Sequence, residues 1–93
     1  MPRVRARFLG LLPRGDAEVA EELEVPTGAA VGDAVEAMAR RLSMRIGQGV
    51  SASEILERHL VMLNGVSLDP EKLLTTELTE GDNVTIFLPV SGG

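Results

Sequence analysis

The chain has 93 residues, enough for one domain with a single core and too few for two cores of ordinary size. Its 44% hydrophobic and 25% charged residues exclude a disordered chain, and the absence of cysteine excludes disulfides, thiolate metal sites and any catalytic or carrier thiol. A net charge of −5 and an aromatic set of two Phe exclude nucleic acid as a partner, because phosphates call for Lys and Arg and bases call for stacking rings; an acidic surface points to a basic protein partner.

No apolar run approaches the roughly 20 residues that cross a bilayer, and the N-terminus does not read as a signal peptide, so no membrane partner is expected. Absence of cysteine fits a reducing compartment, and the expected location is cytoplasmic.

In chain order, residues 3–8 alternate Val4, Ala6 and Phe8 with three arginines, which predicts a first strand with one solvated face. Residues 9–15 hold Gly10, Pro13 and Gly15 and read as a turn. Residues 18–25 predict a second strand, with Val19, Leu23 and Val25 inward beside Glu21. An antiparallel hairpin would set Arg5 and Arg7 across from Glu22 and Glu24 as a solvated charged face.

Pro26-Thr27-Gly28 launches a helix in which Val31, Ala34, Val35, Met38 and Leu42 follow the 3.6-residue period. Asp33 suits its first turn and Arg40 and Arg41 its last, but Ala30 stands at the N-cap position, so packing must hold this helix. Residues 43–53 are irregular; Gly47-Gln48-Gly49 lacks the strand and the Gly-Lys-Ser/Thr of a phosphate loop. Residues 53–58 predict a short helical turn capped by Ser51 or Ser53. Residues 60–64 form an apolar third strand ended by an Asn-Gly turn, and Val66 to Leu68 a short fourth. Beyond Asp69-Pro70, Leu73, Leu74 and Leu78 are expected to plug the core.

The last strand alternates Val84, Ile86 and Leu88 with Thr85 and Phe87. If Val84 and Ile86 face the helix, Phe87 faces the other side, beside either Leu60 and Met62 or Val61 and Leu63. That makes an apolar patch at the strand's end unless a loop such as Leu11-Leu12 covers it. Pro89 then stops the ladder, and Gly92-Gly93 lets a carboxylate pass down a channel too narrow for side chains. His59, the one histidine, has no catalytic partner at a telling spacing and reads as an exposed or half-buried bystander. The acidic residues show no metal spacing.

A strand opened by Glu80-Gly81-Asp82, continuing from Val84 to Phe87 and closing Pro89-Val90-Ser91-Gly92-Gly93, resembles the MoaD/ThiS family of ubiquitin-like sulfur carriers. Its ending is most similar to that of the molybdopterin synthase small subunit. The family usually has proline at the position of Leu88 and commonly threonine at that of Ala30. The resemblance implies an α+β, ubiquitin-like β-grasp over residues 1–90, with first and last strands paired in parallel at the centre of a mixed four- to five-stranded sheet, one main helix across it, and a flexible tail over residues 91–93.

It also implies a function. Gly93 would be adenylated by a ubiquitin-activating-type enzyme and thiocarboxylated with sulfur from a persulfide donor, with no cofactor bound. The arm of Ser91, Gly92 and Gly93 would then enter the large subunit of molybdopterin synthase and give sulfur for the molybdenum cofactor. Phe87, Pro89, Leu60 and Met62 would dock the partner. The chain would be a carrier subunit and not an independent enzyme. The alternatives are a carrier for thiamine, tRNA or amino-acid pathways, a modifier conjugated through Gly93, and an interaction module whose glycines are only tail.

Overall fold

Period-2 alternation sends Val4, Ala6 and Phe8 of β1 (Arg3–Leu12) into the core and Arg3, Arg5 and Arg7 into solvent. The structure is a computed structural model that describes residues 1–12 and 15–89. β1 pairs antiparallel with β2 (Gly15–Glu24), and both strands run further than the expected turn over residues 9–15 allowed. The longer hairpin sets the register: Arg5 lies opposite Glu22 as expected, but Glu24 meets Arg3, and Arg7 meets Ala20. Among the described residues, the one Arg–Glu pair across the hairpin that closes is Arg3 to Glu24, at 3.4 Å on an exposed surface.

α1 (Val31–Ile46) crosses the inner face and buries Val31, Ala34, Val35, Met38, Ala39 and Leu42. It continues one turn beyond the expected end, to Gly47 in the left-handed conformation at φ 68, so Arg45 rather than Arg40 or Arg41 occupies the last turn. Gly47 is thus a helix stop, and Ser43 ties the following loop back by accepting from Val50 N at 2.8 Å.

Tertiary contacts cap the start of this helix. Ala30 has no side-chain acceptor, yet Val31 N donates to Thr76 O and Gly32 N to Leu73 O, while Asp33 Oδ2 accepts from Ala30 N. Loop carbonyls therefore satisfy N–H groups that a side-chain cap would otherwise serve. Glu21, on the inward side of β2, is met by Arg41 and Arg45 at 3.8 and 3.7 Å.

α2 (Ala52–Arg58) begins at Ser51, whose hydroxyl accepts from Glu54 N. β3 (Leu60–Leu63), β4 (Val66–Leu68), a 3-10 turn (Pro70–Lys72) and β5 (Asn83–Phe87) follow. Between them Leu73 and Leu78 plug the core, but Leu74 is 82% exposed, since adjacent residues after a tight turn cannot both point inward. The sheet order is β2-β1-β5-β3-β4, parallel between β1 and β5 and antiparallel elsewhere. This is a ubiquitin-like β-grasp, and β5 lies at its centre.

Candidate functional site

β5 hands its side chains alternately to the two faces of the sheet. Val84 and Ile86 are fully buried beneath α1, which sends Thr85 and Phe87 outward. Phe87 lies in register with Leu9 of β1 on one side and Leu60 of β3 on the other, and Met62 sits opposite Thr85. Of the two pairs that could flank Phe87, Leu60 and Met62 are the ones on its face. Val61 is buried opposite Ile86, and Leu63 packs partly against the core.

Leu60 is 46% exposed, Phe87 and Met62 half-buried. Leu12 turns into the core and does not cover the patch, whereas Leu11, two residues beyond Leu9 on the same face, extends it. Arg5 and Arg7 stand beside this corner, in register with Asn83 and Thr85. The outer face is therefore apolar where β5 ends and charged where it begins.

Leu88 N donates to Leu9 O at 3.0 Å, and the exposed Pro89 then offers no N–H to continue the ladder. The structure thus brings Phe87, Leu60 and Met62 together and puts Pro89 directly beyond them. Ser91, Gly92 and Gly93 lie outside the described residues.

His59 is not the expected bystander. It is 5% exposed, its Nδ1 lies 2.7 Å from Ile55 O, and its Nε2 accepts from Leu11 N at 3.2 Å. Those partners define one neutral tautomer, with the proton on Nδ1. The ring packs on Phe8 with centroids 4.9 Å apart. It also occupies the space a side chain at Gly10 would need: a Cβ there would fall on the His59 ring, at Nε2. His59 thereby joins α2 to the end of β1 beneath the patch, and a glycine inside an alternating strand was the sequence signal of that approach. A cleft of about 260 Å³ beside it is lined by Leu11, Leu12, Val50, Ile55 and His59.

At the far end of β5, Asp82 accepts from Asn64 Nδ2 at 2.9 Å and from Thr79 N at 2.8 Å. Partial burial pushes its carboxyl up, but these bonds to the ionised form outweigh that and hold it below the ordinary carboxylate range. Among the described residues no group of three or more His, Asp or Glu side chains could hold a metal, and no helix is long and apolar enough to cross a membrane.

The ThiS family model matches residues 11–93, the last of them Gly93. No curated protein sequence matches the chain. Among solved structures, a Pyrococcus furiosus protein provisionally named molybdopterin converting factor, subunit 1, is 22% identical with a TM-score of 0.59, covering 97% of this chain and 100% of that one. SAMP1 from Haloferax volcanii is 21% identical with a TM-score of 0.54, covering 96% and 99%. The Haloferax volcanii HVO 2177 protein is 22% identical with a TM-score of 0.51, covering 98% and 88%. At these identities the three likenesses speak to the fold; the family match, over most of the chain, establishes that it belongs to the ThiS family of ubiquitin-like sulfur carriers.

Proposed function

We propose that this chain is the sulfur-carrying small subunit of a molybdopterin synthase, working in the cytoplasm. The observation that supports it best is the position of the family match: it runs to Gly93, only a few residues beyond the strand end where Phe87, Leu60 and Met62 form an apolar corner. A partner can grip that corner while the arm of Ser91, Gly92 and Gly93 reaches its active site.

An ionised carboxylate is a poor electrophile and must first be activated. In the proposed cycle a ubiquitin-activating-type enzyme lets a Gly93 carboxylate oxygen attack the α-phosphorus of ATP, releasing pyrophosphate and leaving an acyl adenylate. Persulfide sulfur attacks the carbonyl carbon and AMP departs; a second thiol then cleaves the S–S bond, leaving a C-terminal thiocarboxylate. This chain has no cysteine, so every thiol in that sequence belongs to a partner. The thiocarboxylate sulfur is the nucleophile offered to the precursor held by the large subunit. The chain is a carrier in this cycle, with Phe87, Pro89, Leu60 and Met62 as docking residues and no bound cofactor.

A second reading keeps the same activation and sends the sulfur to thiamine, tRNA or an amino-acid pathway; a match to the ThiS family as a whole favours keeping it. Intact mass of the untagged protein from its native cells tests the shared premise. The expected result is a species about 16 Da heavier, oxygen replaced by sulfur, that deletion of Gly93 abolishes. Unmodified mass alone, with the activating enzyme and sulfur donor present, sinks both readings. Deleting the gene separates them: loss of molybdoenzyme activity supports the first, and thiamine auxotrophy or loss of tRNA thiolation the second.

A further inference from the structure

The basic residues of this chain are chemically lopsided. Of nine Lys and Arg residues, eight are arginine and only Lys72 is lysine. Guanidinium groups stay protonated and carry no free lone pair, whereas an ammonium can shed its proton and become an acyl acceptor. In a protein whose terminus becomes an acyl adenylate the difference has consequences. Eight of the nine cations cannot consume the activated group, and one can.

Lys72 ends the 3-10 turn Pro70–Lys72, is exposed, and makes no ion pair among the described residues. Its neighbour Leu73 accepts from Gly32 N at the first turn of α1, and α1 starts at the end of the sheet where β5 begins. β5 ends, and the chain is described as far as Pro89, at the opposite end of the sheet. The strand end that precedes the donor and the turn that carries the acceptor thus stand at opposite ends of the sheet, a separation that favours joining two copies over closing one. Neither the turn nor Lys72 belongs to the corner of Leu60, Met62 and Phe87, which stays open in such a conjugate.

We propose that Lys72 is the side-chain site at which one copy accepts the activated Gly93 acyl group of another, so that conjugates of the protein with itself carry a single kind of linkage. This rests on the activation of Gly93 proposed above, but not on where the sulfur goes. The neutral ε-amine attacks the Gly93 carbonyl carbon, a C–N bond forms, the C–O bond to AMP breaks, AMP leaves with the electron pair, and water takes the ammonium proton. One donor and one acceptor per copy make the product linear.

The test isolates the full chain, with a lysine-free N-terminal tag, from its native cells under denaturing conditions, as wild type and as Lys72→Arg. Trypsin cannot cut at an acylated Lys72, and no Lys or Arg follows it, so the diagnostic branch is residues 73–93 of one copy on Lys72 of the other. Expected are wild-type covalent dimers with that branch, their loss in Lys72→Arg, and an unchanged thiocarboxylate species, which also reports that the variant folds and is activated. Thiocarboxylate without a branch on Lys72, whether dimers are absent or are joined through the α-amino group, overturns the inference and leaves the proposed function standing. Absence of both thiocarboxylate and any Gly93 adduct overturns the proposed function and the inference with it.

Discussion

Among the described residues, β5 is fastened at its start by side chains as well as backbone and at its end by backbone pairing alone. At the start, Asn64 accepts from Asn83 N at 2.8 Å and donates to Asp82, Asp82 accepts from Thr79, and Glu80 accepts from Arg3 N at 2.9 Å. Asn64 sits at φ 51 and Gly65 at φ 82, so the Asn-Gly turn between β3 and β4 aims that amide at the β5 entry. At the end there is Leu88 N to Leu9 O, then a proline. The contrast shows how a small fold anchors its last strand: β5 cannot slide, because its entry is bolted and its middle buried, while the side chains at its exit are left for other contacts.

The largest expected effect comes from breaking the buried middle. Ile86→Ala removes a fully buried side chain from the central strand and should cost about 2–5 kcal/mol, measured by urea unfolding. An unfolding midpoint unchanged from wild type would show that β5 is not the anchored strand described here. Gly10→Ala comes next. Its new Cβ meets the His59 ring and should cost about 1–3 kcal/mol, with the Leu11 amide exchanging faster because its acceptor has moved.

At the bolted entry, Asp82→Asn should cost about 1 kcal/mol at neutral pH. Its signature is in acid. The Asp82 carboxyl titrates lower in the folded than in the unfolded chain. The stability contributed by its ionised form is therefore complete above the ordinary value of about 3.9 and is lost as pH falls through the lower folded value. The variant should show a flatter decline in stability below about pH 4; a decline identical to wild type would remove Asp82 from the account.

The smallest effect on stability belongs to Phe87→Ala, since Phe87 is only half-buried at the exit. Its unfolding midpoint should stay closest to wild type of the four, while thiocarboxylate formation in cells falls sharply. A variant that unfolds early yet is loaded normally would reverse the assignment of Phe87 from docking to packing.

Those variants also mark what the sequence made legible. The succession of elements along the chain, the inward set of Val84 and Ile86 and the outward set of Phe87 follow from local periodicity, which depends only on near neighbours, whereas the central pairing of β1 with β5 came from the family resemblance. The choice of Leu60 and Met62 over Val61 and Leu63 needed the β3 register, a long-range fact. His59 was misread for the same reason: its partners Leu11 and Gly10 lie nearly fifty residues away, and nothing next to it in the chain requires burial. The last turn of α1 was missed because Met44 and Arg45 face solvent and Gly47-Gln48-Gly49 read as loop, although Ile46, four residues beyond Leu42, packs against the core. Leu74 was taken for core on hydrophobicity alone, although Leu73 had filled that place.

The strand order also limits how anything can attach. A partner that binds by adding a strand needs a long, unpaired, uncharged edge. Here one edge is β4, three residues long, and the other is β2, which carries Glu18, Glu21, Glu22 and Glu24. Both margins discourage strand addition, and β5, the strand that leads toward the C-terminus, is interior, between β1 and β3. Under the proposed function, a partner gripping the folded part would approach broadside, onto a surface built of side chains rather than of peptide groups. Recognition of this carrier therefore depends on which residues occupy a few outward positions, so that paralogues sharing this backbone could serve separate enzymes by changing little more than those.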